Sequence, residues 1–269
     1  MSSRGLSRAQ VEEFVENGFV LVEGAFPTGV AAECRAICWQ EAGCDPDDPT
    51  TWSEPVIRLG SCAQEPFRRA ANTLRLHQAF DQLVGPGRWL PRESLGTIPI
   101  RFPHPRDPDD AGWHIDGGYH PAERKGPPWA NVVSRGRALL MLFLFSDTAE
   151  NDAPTRIRVG SHMQVPSRLA AAGEEGMSTE ALAATGLFEA TADLPHTLAT
   201  GLAGDVYLCH PFLVHAAQPH RGTTPRFLAQ PPLYPAEPYQ LQRADSDYSP
   251  VELAIRHGLK TGRSAGGQE

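Results

Sequence analysis

Beyond Gly85 the chain breaks into short apolar segments set apart by turn-forming residues, and this pattern restricts the fold more than any other feature. The segments are 97–102, 112–115, 138–145, 155–159, 205–209 and 226–230. Asn151-Asp152-Ala153-Pro154 and Ala203-Gly204-Asp205 are among the turns between them. Before Gly85 the periodicity is helical. Ser7-Arg8-Ala9-Gln10 is a capping box, Val11, Phe14 and Val15 form an apolar stripe, and Gly18 suits a left-handed end. Residues 19–22 read as a strand, Thr28 as the cap of a second helix ending near Gly43, and 66–84 as a third helical region with Leu74, Phe80 and Leu83 apolar. The insert 165–200 is Ala-rich and partly helical. Helices followed by many short strands predict an α+β fold: a jelly-roll core with helices packed on one sheet. With no Gly/Ser tract, charge block or repeat, 1–269 is expected to be one domain, helical over about 6–85 and β over about 95–235.

The charge balance excludes some functions. Net charge is −8 with no basic cluster, so nucleic acid is not an expected partner. The longest apolar run, 138–145, is far short of the roughly 20 residues that span a bilayer, so no membrane partner is expected. The N-terminus leads into a polar helix rather than a secretory leader, and five cysteines without framework spacing suit reduced thiols in a cytoplasmic protein. Cys34 and Cys38 lie one helical turn apart, a spacing better explained by burial than by zinc. Oligomeric state is not legible.

Three features carry chemistry. In Trp113-His114-Ile115-Asp116, strand alternation puts His114 and Asp116 on one face, two legs of a 2-His-1-carboxylate metal triad. The segment Gly204-Asp205-Val206-Tyr207-Leu208-Cys209-His210-Pro211-Phe212-Leu213-Val214-His215 offers His210 and His215 as candidates for the third leg. Eleven residues past His215, Arg226 opens another apolar strand, and its planar fork suits the distal carboxylate of a 2-oxo diacid.

On these motifs the chain resembles the phytanoyl-CoA dioxygenase family of Fe(II)/2-oxoglutarate oxygenases. The resemblance runs through 6–24, 113–117, 151–162 (ending Val159-Gly160-Ser161-His162) and 204–230. It implies a double-stranded β-helix core, and it takes the second histidine of the H-P-x-x-x-H pattern, His215, as the ligand. His114, Asp116 and His215 then hold Fe(II) as the catalytic centre, Arg226 binds 2-oxoglutarate, and His210 is structural. O₂ is the other cosubstrate, and a small organic molecule is oxidised as succinate and CO₂ are released. Because Asp116 is present, the resemblance favours hydroxylation over halogenation; desaturation, epoxidation and ring chemistry stay open. Where relatives often carry Ser two residues past the ligand histidine, this chain has Ala217, so Thr155 or Tyr207 is expected to supply that contact to 2-oxoglutarate.

Other residues are read with their alternatives. Arg101 either contacts a carboxylate or is a surface strand arginine. Trp113, Tyr119 and Trp129 either wall a substrate pocket or simply pack. Arg135 and Arg137 either anchor an acidic substrate or, the preferred reading, are solvated charges flanking a strand, and His104, His120 and His220 match no ligand position. Residues 117–137 match nothing family-wide and are where substrate identity is expected to lie. Without a basic cluster for a CoA phosphate, the substrate is expected to be a small metabolite, amino acid or lipid-like acid. Two rival functions exist. A cupin-like isomerase or epimerase that is not an oxygenase leaves Arg226 unexplained, and a silent binding protein would ordinarily have lost a ligand that this chain keeps.

Overall fold

A computed structural model describes residues 5–122 and 124–265; the opening residues read above as no leader, 1–4, lie outside it. Its helices are α1 (Arg8–Asn17), α2 (Thr28–Ala42), α3 (Glu65–Ala71), α4 (Leu74–Leu83), α5 (Pro166–Ala170), α6 (Thr179–Ala183), α7 (Leu187–Ala190) and α8 (Pro250–Ala265). The capping box forms as expected at Ser7, and Gly18 closes α1 at φ +85°, its N–H donating to Phe14 O. Two expectations are corrected. Thr28 is the first helical residue rather than the cap, and Pro27 precedes it without a side-chain cap. The region 66–84 is two helices, because Thr73 caps a new one, and Leu74 at its start is 65% exposed while Leu76, Ala79, Phe80 and Leu83 are buried.

The strands are β1 (Phe19–Val22), β2 (Val56–Leu59), β3 (Trp89–Leu90), β4 (Ile98–Arg101), β5 (Trp129–Ala130), β6 (Leu139–Leu144), β7 (Arg156–Arg158), β8 (Met177–Ser178), β9 (His196–Leu198), β10 (Val206–Cys209), β11 (His215–Ala216), β12 (Arg226–Ala229) and β13 (Pro232–Pro235). The large sheet runs β1-β10-β6-β12-β4-β2, with β13 joining β6 and β3. A smaller sheet runs β11-β7-β9, and β5 pairs β8. All the pairings are antiparallel, and none of these sheets closes into a barrel.

The unbroken apolar run of β6 is explained by burial on both faces. Leu139, Met141 and Phe143 join the core built with Phe14, Phe67, Leu76, Phe80 and Ile255 of the helices. Leu140, Leu142 and Leu144 join Ile157 and Leu213 in a second core between the two sheets. The same alternation governs β12, where Phe227 and Ala229 face the helices and Leu228 the inter-sheet core, so Arg226 points inward with Leu228.

Two buried histidines fasten α1 to this frame. The backbone N–H of His210 donates to Gly18 O at 2.7 Å, and Gly160 N–H to Asn17 O at 2.9 Å. The His162 ring lies against Gly18, where an added Cβ would come within 2.4 Å of Nδ1, and bonds Val15 O through Nε2 at 3.1 Å. The His210 ring sits 4.8 Å from it, with Nδ1 accepting from Phe212 N–H. Burial pushes His162 down to about 4 and His210 well below the ordinary imidazole value. Both are therefore neutral when folded, and the unfolded chain binds protons that the folded chain refuses. Their contribution to stability is complete above the unfolded value of about 6.5 and is lost as pH falls, at about 1.4 kcal/mol per proton per pH unit. Thermal unfolding of the metal-free protein should accordingly move to lower temperature between roughly pH 6.5 and 5, above the main carboxylate range. A midpoint indifferent to pH in that window would remove this account.

Candidate metal centre

The strand expected over 112–115 is a single bridge. His114 pairs antiparallel with His215, His114 N–H donating to His215 O at 2.9 Å and His215 N–H to His114 O at 3.0 Å. Because β11 also pairs with β7, His215 opposite Ile157, the His114 segment extends the edge of the small sheet. Directly opposed residues carry their side chains on the same face. The two imidazole centroids are 4.4 Å apart, and Asp116, two residues on, brings a carboxylate oxygen 3.9 Å from His114 Nε2. One ligand atom from each of the three residues lies within 4.8 Å of the others, the only such group among the described residues.

The donor chemistry fits a divalent metal. His114 Nδ1 lies 2.9 Å from Gly112 O and His215 Nδ1 lies 3.0 Å from Leu213 O. Each contact puts the ring proton on Nδ1 and leaves the Nε2 lone pair free, the arrangement usual for metal-ligating histidines. Burial pushes His215 down to about 4 against the pull of Asp116, so it is neutral at physiological pH. Burial would raise the Asp116 carboxyl, but Arg137, His215 and His114 outweigh it and hold it below the ordinary value. His215 is buried, whereas His114 and Asp116 have side chains 46% and 28% exposed, so the site opens on one side.

Arg226 is 2% exposed. Its Nη1 donates to Ala153 O, and its buried Nε has no partner. Burial and Arg101 push its pKa down to about 9, with Asp110 opposing, so the group stays cationic at neutral pH. Arg101 sits directly across the β4–β12 ladder and is itself 4% exposed, which corrects the surface reading. It bonds Asp110 Oδ2 at 2.7 Å and Gln218 O at 3.3 Å, and Arg58 shares the same Asp110 oxygen. Thr155 is buried, two residues along the chain from Ala153, whose carbonyl accepts from Arg226. Tyr207 lies in the inter-sheet core with its hydroxyl on Thr200 O at 2.6 Å, on β10 and separated from β12 by β6.

The aromatic candidates divide. Trp113 packs against the helix-side core, with the guanidinium carbons of Arg156 and Arg158 4.7 and 4.3 Å from its ring centroid. Tyr119 and Trp129 pair with each other on a strap that leaves the site after Asp116 and returns at Arg137. The Tyr119 hydroxyl donates to Glu175 O, and Arg124 lies over Trp129 at 4.4 Å. His104 and His220 bond their own loops, at Arg106 N–H and Thr224 O. Two site residues escaped the sequence. Arg137, read as a solvated flank, has a side chain 11% exposed with Nη1 3.3 Å from Asp116 Oδ2. Asp110 gave no signal beyond its place in a Pro/Asp-rich loop.

This frame and donor set define an Fe(II)- and 2-oxoglutarate-dependent enzyme. The sequence pattern of the phytanoyl-CoA dioxygenase family matches residues 14–228, and the chain belongs to that family. No curated protein matches it in sequence. Among solved structures it is similar to the non-haem α-ketoglutarate-dependent carbocyclase SnoK from nogalamycin biosynthesis (16% identity, 87% of this chain and 86% of that one, TM-score 0.57). It is also similar to HygX from Streptomyces hygroscopicus with nickel, 2-oxoglutarate and hygromycin B bound (19%, 91% and 95%, TM-score 0.53). A third is EctD from S. alaskensis with 2-oxoglutarate and 5-hydroxyectoine (20%, 86% and 76%, TM-score 0.54). At these identities the likeness establishes a shared fold. No helix among the described residues is long and apolar enough to cross a membrane.

Among the described residues, only His114 and His215 of the histidines join a cluster of metal-ligating groups. Isothermal titration with Mn(II) should find one site in the wild type, lost in His215→Ala and Asp116→Ala and kept in His104→Ala and His120→Ala. Binding that survived His215→Ala would exclude this centre.

Proposed function

We propose that the chain hydroxylates an unactivated C–H bond of a small organic substrate, using Fe(II), 2-oxoglutarate and O₂. The observation that carries this reading is a buried, cationic Arg226 with an unpaired Nε, on the same frame as a three-ligand site that leaves metal positions open. Iron with 2-oxoglutarate supplies oxygen activation coupled to release of CO₂ and succinate. The protein's part is geometric. His114, Asp116 and His215 hold the metal, and Arg226 takes the distal carboxylate of 2-oxoglutarate in a charge-assisted bond. Thr155 is the better candidate for a second contact, since it follows closely in sequence on Ala153, whose carbonyl Arg226 bonds, and the Tyr207 hydroxyl is already committed to Thr200. Arg101, bound to Asp110, contributes positive potential rather than a free fork. Tyr119 and Trp129 stand on the strap that walls the substrate side, whereas Trp113 supports the site from behind. The two sheets are read as a double-stranded β-helix within one catalytic domain. The sequence offers no basic cluster suited to a CoA phosphate, which favours a small metabolite, amino acid or lipid-like acid over a CoA ester.

A second outcome on the same centre is stereoinversion or ring closure. It is favoured by the likeness to SnoK and to the α-ketoglutarate-dependent epimerase SnoN (19% identity, 84% of this chain and 82% of that one, TM-score 0.56). Product mass separates these outcomes: one added oxygen for hydroxylation, no change for epimerisation, two hydrogens lost for ring closure.

The test of the cosubstrate comes first. Fe(II) and then 2-oxoglutarate added without oxygen should give a visible charge-transfer band in the wild type and none in Asp116→Ala. Arg226→Ala should need roughly 10- to 100-fold more 2-oxoglutarate, the size of a lost hydrogen-bonded charge pair. With metal loading verified, absence of the band in the wild type would turn the reading toward an isomerase or a binding protein.

A further inference from the structure

Asp116 has two oxygens, and they face different neighbours. Oδ1 lies 3.9 Å from His114 Nε2, on the side of the other ligands, and Oδ2 lies 3.3 Å from Arg137 Nη1. We propose that Arg137 is a positioning residue that holds Oδ2 away from the metal, so that Asp116 offers a single oxygen, Oδ1, to the site. The inference rests on the metal-centre reading above and adds a residue to it.

Several observations set Arg137 apart from a casual ion pair. Its guanidinium also donates from Nη2 to Gly117 O at 3.4 Å, so it grips the backbone next to the carboxylate as well as the carboxylate itself. Nε and Nη1 are buried and neither makes a hydrogen bond, so Nη1 meets Asp116 Oδ2 as an ion pair inside the protein rather than as a hydrogen bond in water. The chain is built to return Arg137 to this point. Residues 117–137 form the strap, in which Gly118 N–H and Tyr119 N–H both donate to Trp129 O. Its ends close by a glycine contact: a Cβ on Gly136, which has φ +88°, would lie 2.2 Å from Gly118 O, and one on Gly118 would lie 2.5 Å from Arg135 O. Ser134, at φ +46°, then turns the chain, its hydroxyl donating to Arg137 O at 2.7 Å. Arg135, the neighbouring cation, is turned away onto the Tyr119 ring.

Charge and orientation predict opposite consequences of removing Arg137. A cation beside a divalent metal repels it, so on charge alone its loss tightens metal binding. Loss of a group that orients a ligand weakens metal binding, ordinarily by about 10- to 100-fold. The sign therefore tests the role.

Wild type, Arg137→Gln, Arg137→Lys and Arg124→Ala would be titrated with Co(II) and followed by d–d absorption, with folding checked by circular dichroism. Arg124 stacks on Trp129 and pairs with Glu175 in the strap but touches no ligand, so it reports strap integrity. The expected result is about 10- to 100-fold weaker binding in Arg137→Gln. Its d–d band should change shape as the released carboxylate turns its second oxygen to the metal. Arg137→Lys, which keeps the charge but not the fork, should fall between it and the wild type, and it carries the test if Arg137→Gln does not fold. Arg124→Ala should match the wild type. Unchanged or tighter binding in Arg137→Gln, or an equal loss in Arg124→Ala, would overturn the role of Arg137. A folded wild type that takes up no Co(II) would remove the metal-centre reading itself.

Discussion

The site depends on two backbone hydrogen bonds, His114 N–H to His215 O and the reverse. They join residues far apart in sequence as a directly opposed antiparallel pair, and such a pair fixes both side chains on one face. Asp116 follows at the next position of that face. A slip of one residue would turn the ligands to opposite faces, so the register must be strongly held. It is held from the β11 side, where His215 opposes Ile157, and Ile157 and Leu213 are buried in the inter-sheet core. The core side of the bridge is thus rigid and the His114 side is an edge, which accounts for one buried and one half-exposed histidine.

The second constraint is electrostatic. Alternation along β12 sends residue 226 inward, and alternation along β4 sends residue 101 to the same place from the neighbouring strand. Two guanidiniums facing each other under the surface are costly, because like charges opposed across a ladder repel and buried charge needs a partner. The described structure supplies one carboxylate there, Asp110, and Arg58 on the outside shares it. Local positive charge therefore exceeds local negative charge; burial is the main cause of the depressed pKa of Arg226, and Arg101 adds to it. A dianionic cosubstrate bound there, as proposed, would offset the surplus. The same surplus gives an isomerase without such a cosubstrate no evident use.

What the sequence made legible follows from range. Strand alternation two residues apart gave His114 and Asp116 one face, and capping chemistry over three residues gave the start of α1. Arg226 stood out by its fork at the start of an apolar strand, whereas His215 needed the family resemblance, since spacing alone left His210 open. His210 proves to clamp Gly18 and the end of α1, a role decided by contacts across the fold. The C-terminal helix was missed although Ser249-Pro250-Val251-Glu252 carries its signal. Ser249 Oγ accepts from Glu252 N–H, the Glu252 carboxylate accepts from Ser249 N–H, and Pro250 opens the helix. Asp110 and Arg137 were not legible, and Arg101 was left between two readings, because a charged residue beside an apolar strand looks the same whether it ends in water or in a buried pair.

The strap explains why substrate identity resists a reading from family pattern. Residues 117–122 and 124–137 carry Tyr119 and Trp129 and return Arg137 to Asp116, so the segment without a family-wide motif is fastened at both ends to Asp116. Its closure tolerates little. Gly117 lies against the Pro128 backbone and Gly118 against Gly136, contacts that a single added methyl would break. If the strap walls the substrate side, as proposed, sequence change that reshapes that wall is confined to its middle, around the Tyr119–Trp129 ladder. Specificity can drift there while the ends keep the geometry of Asp116, which is how one metal centre can serve many substrates on a common frame.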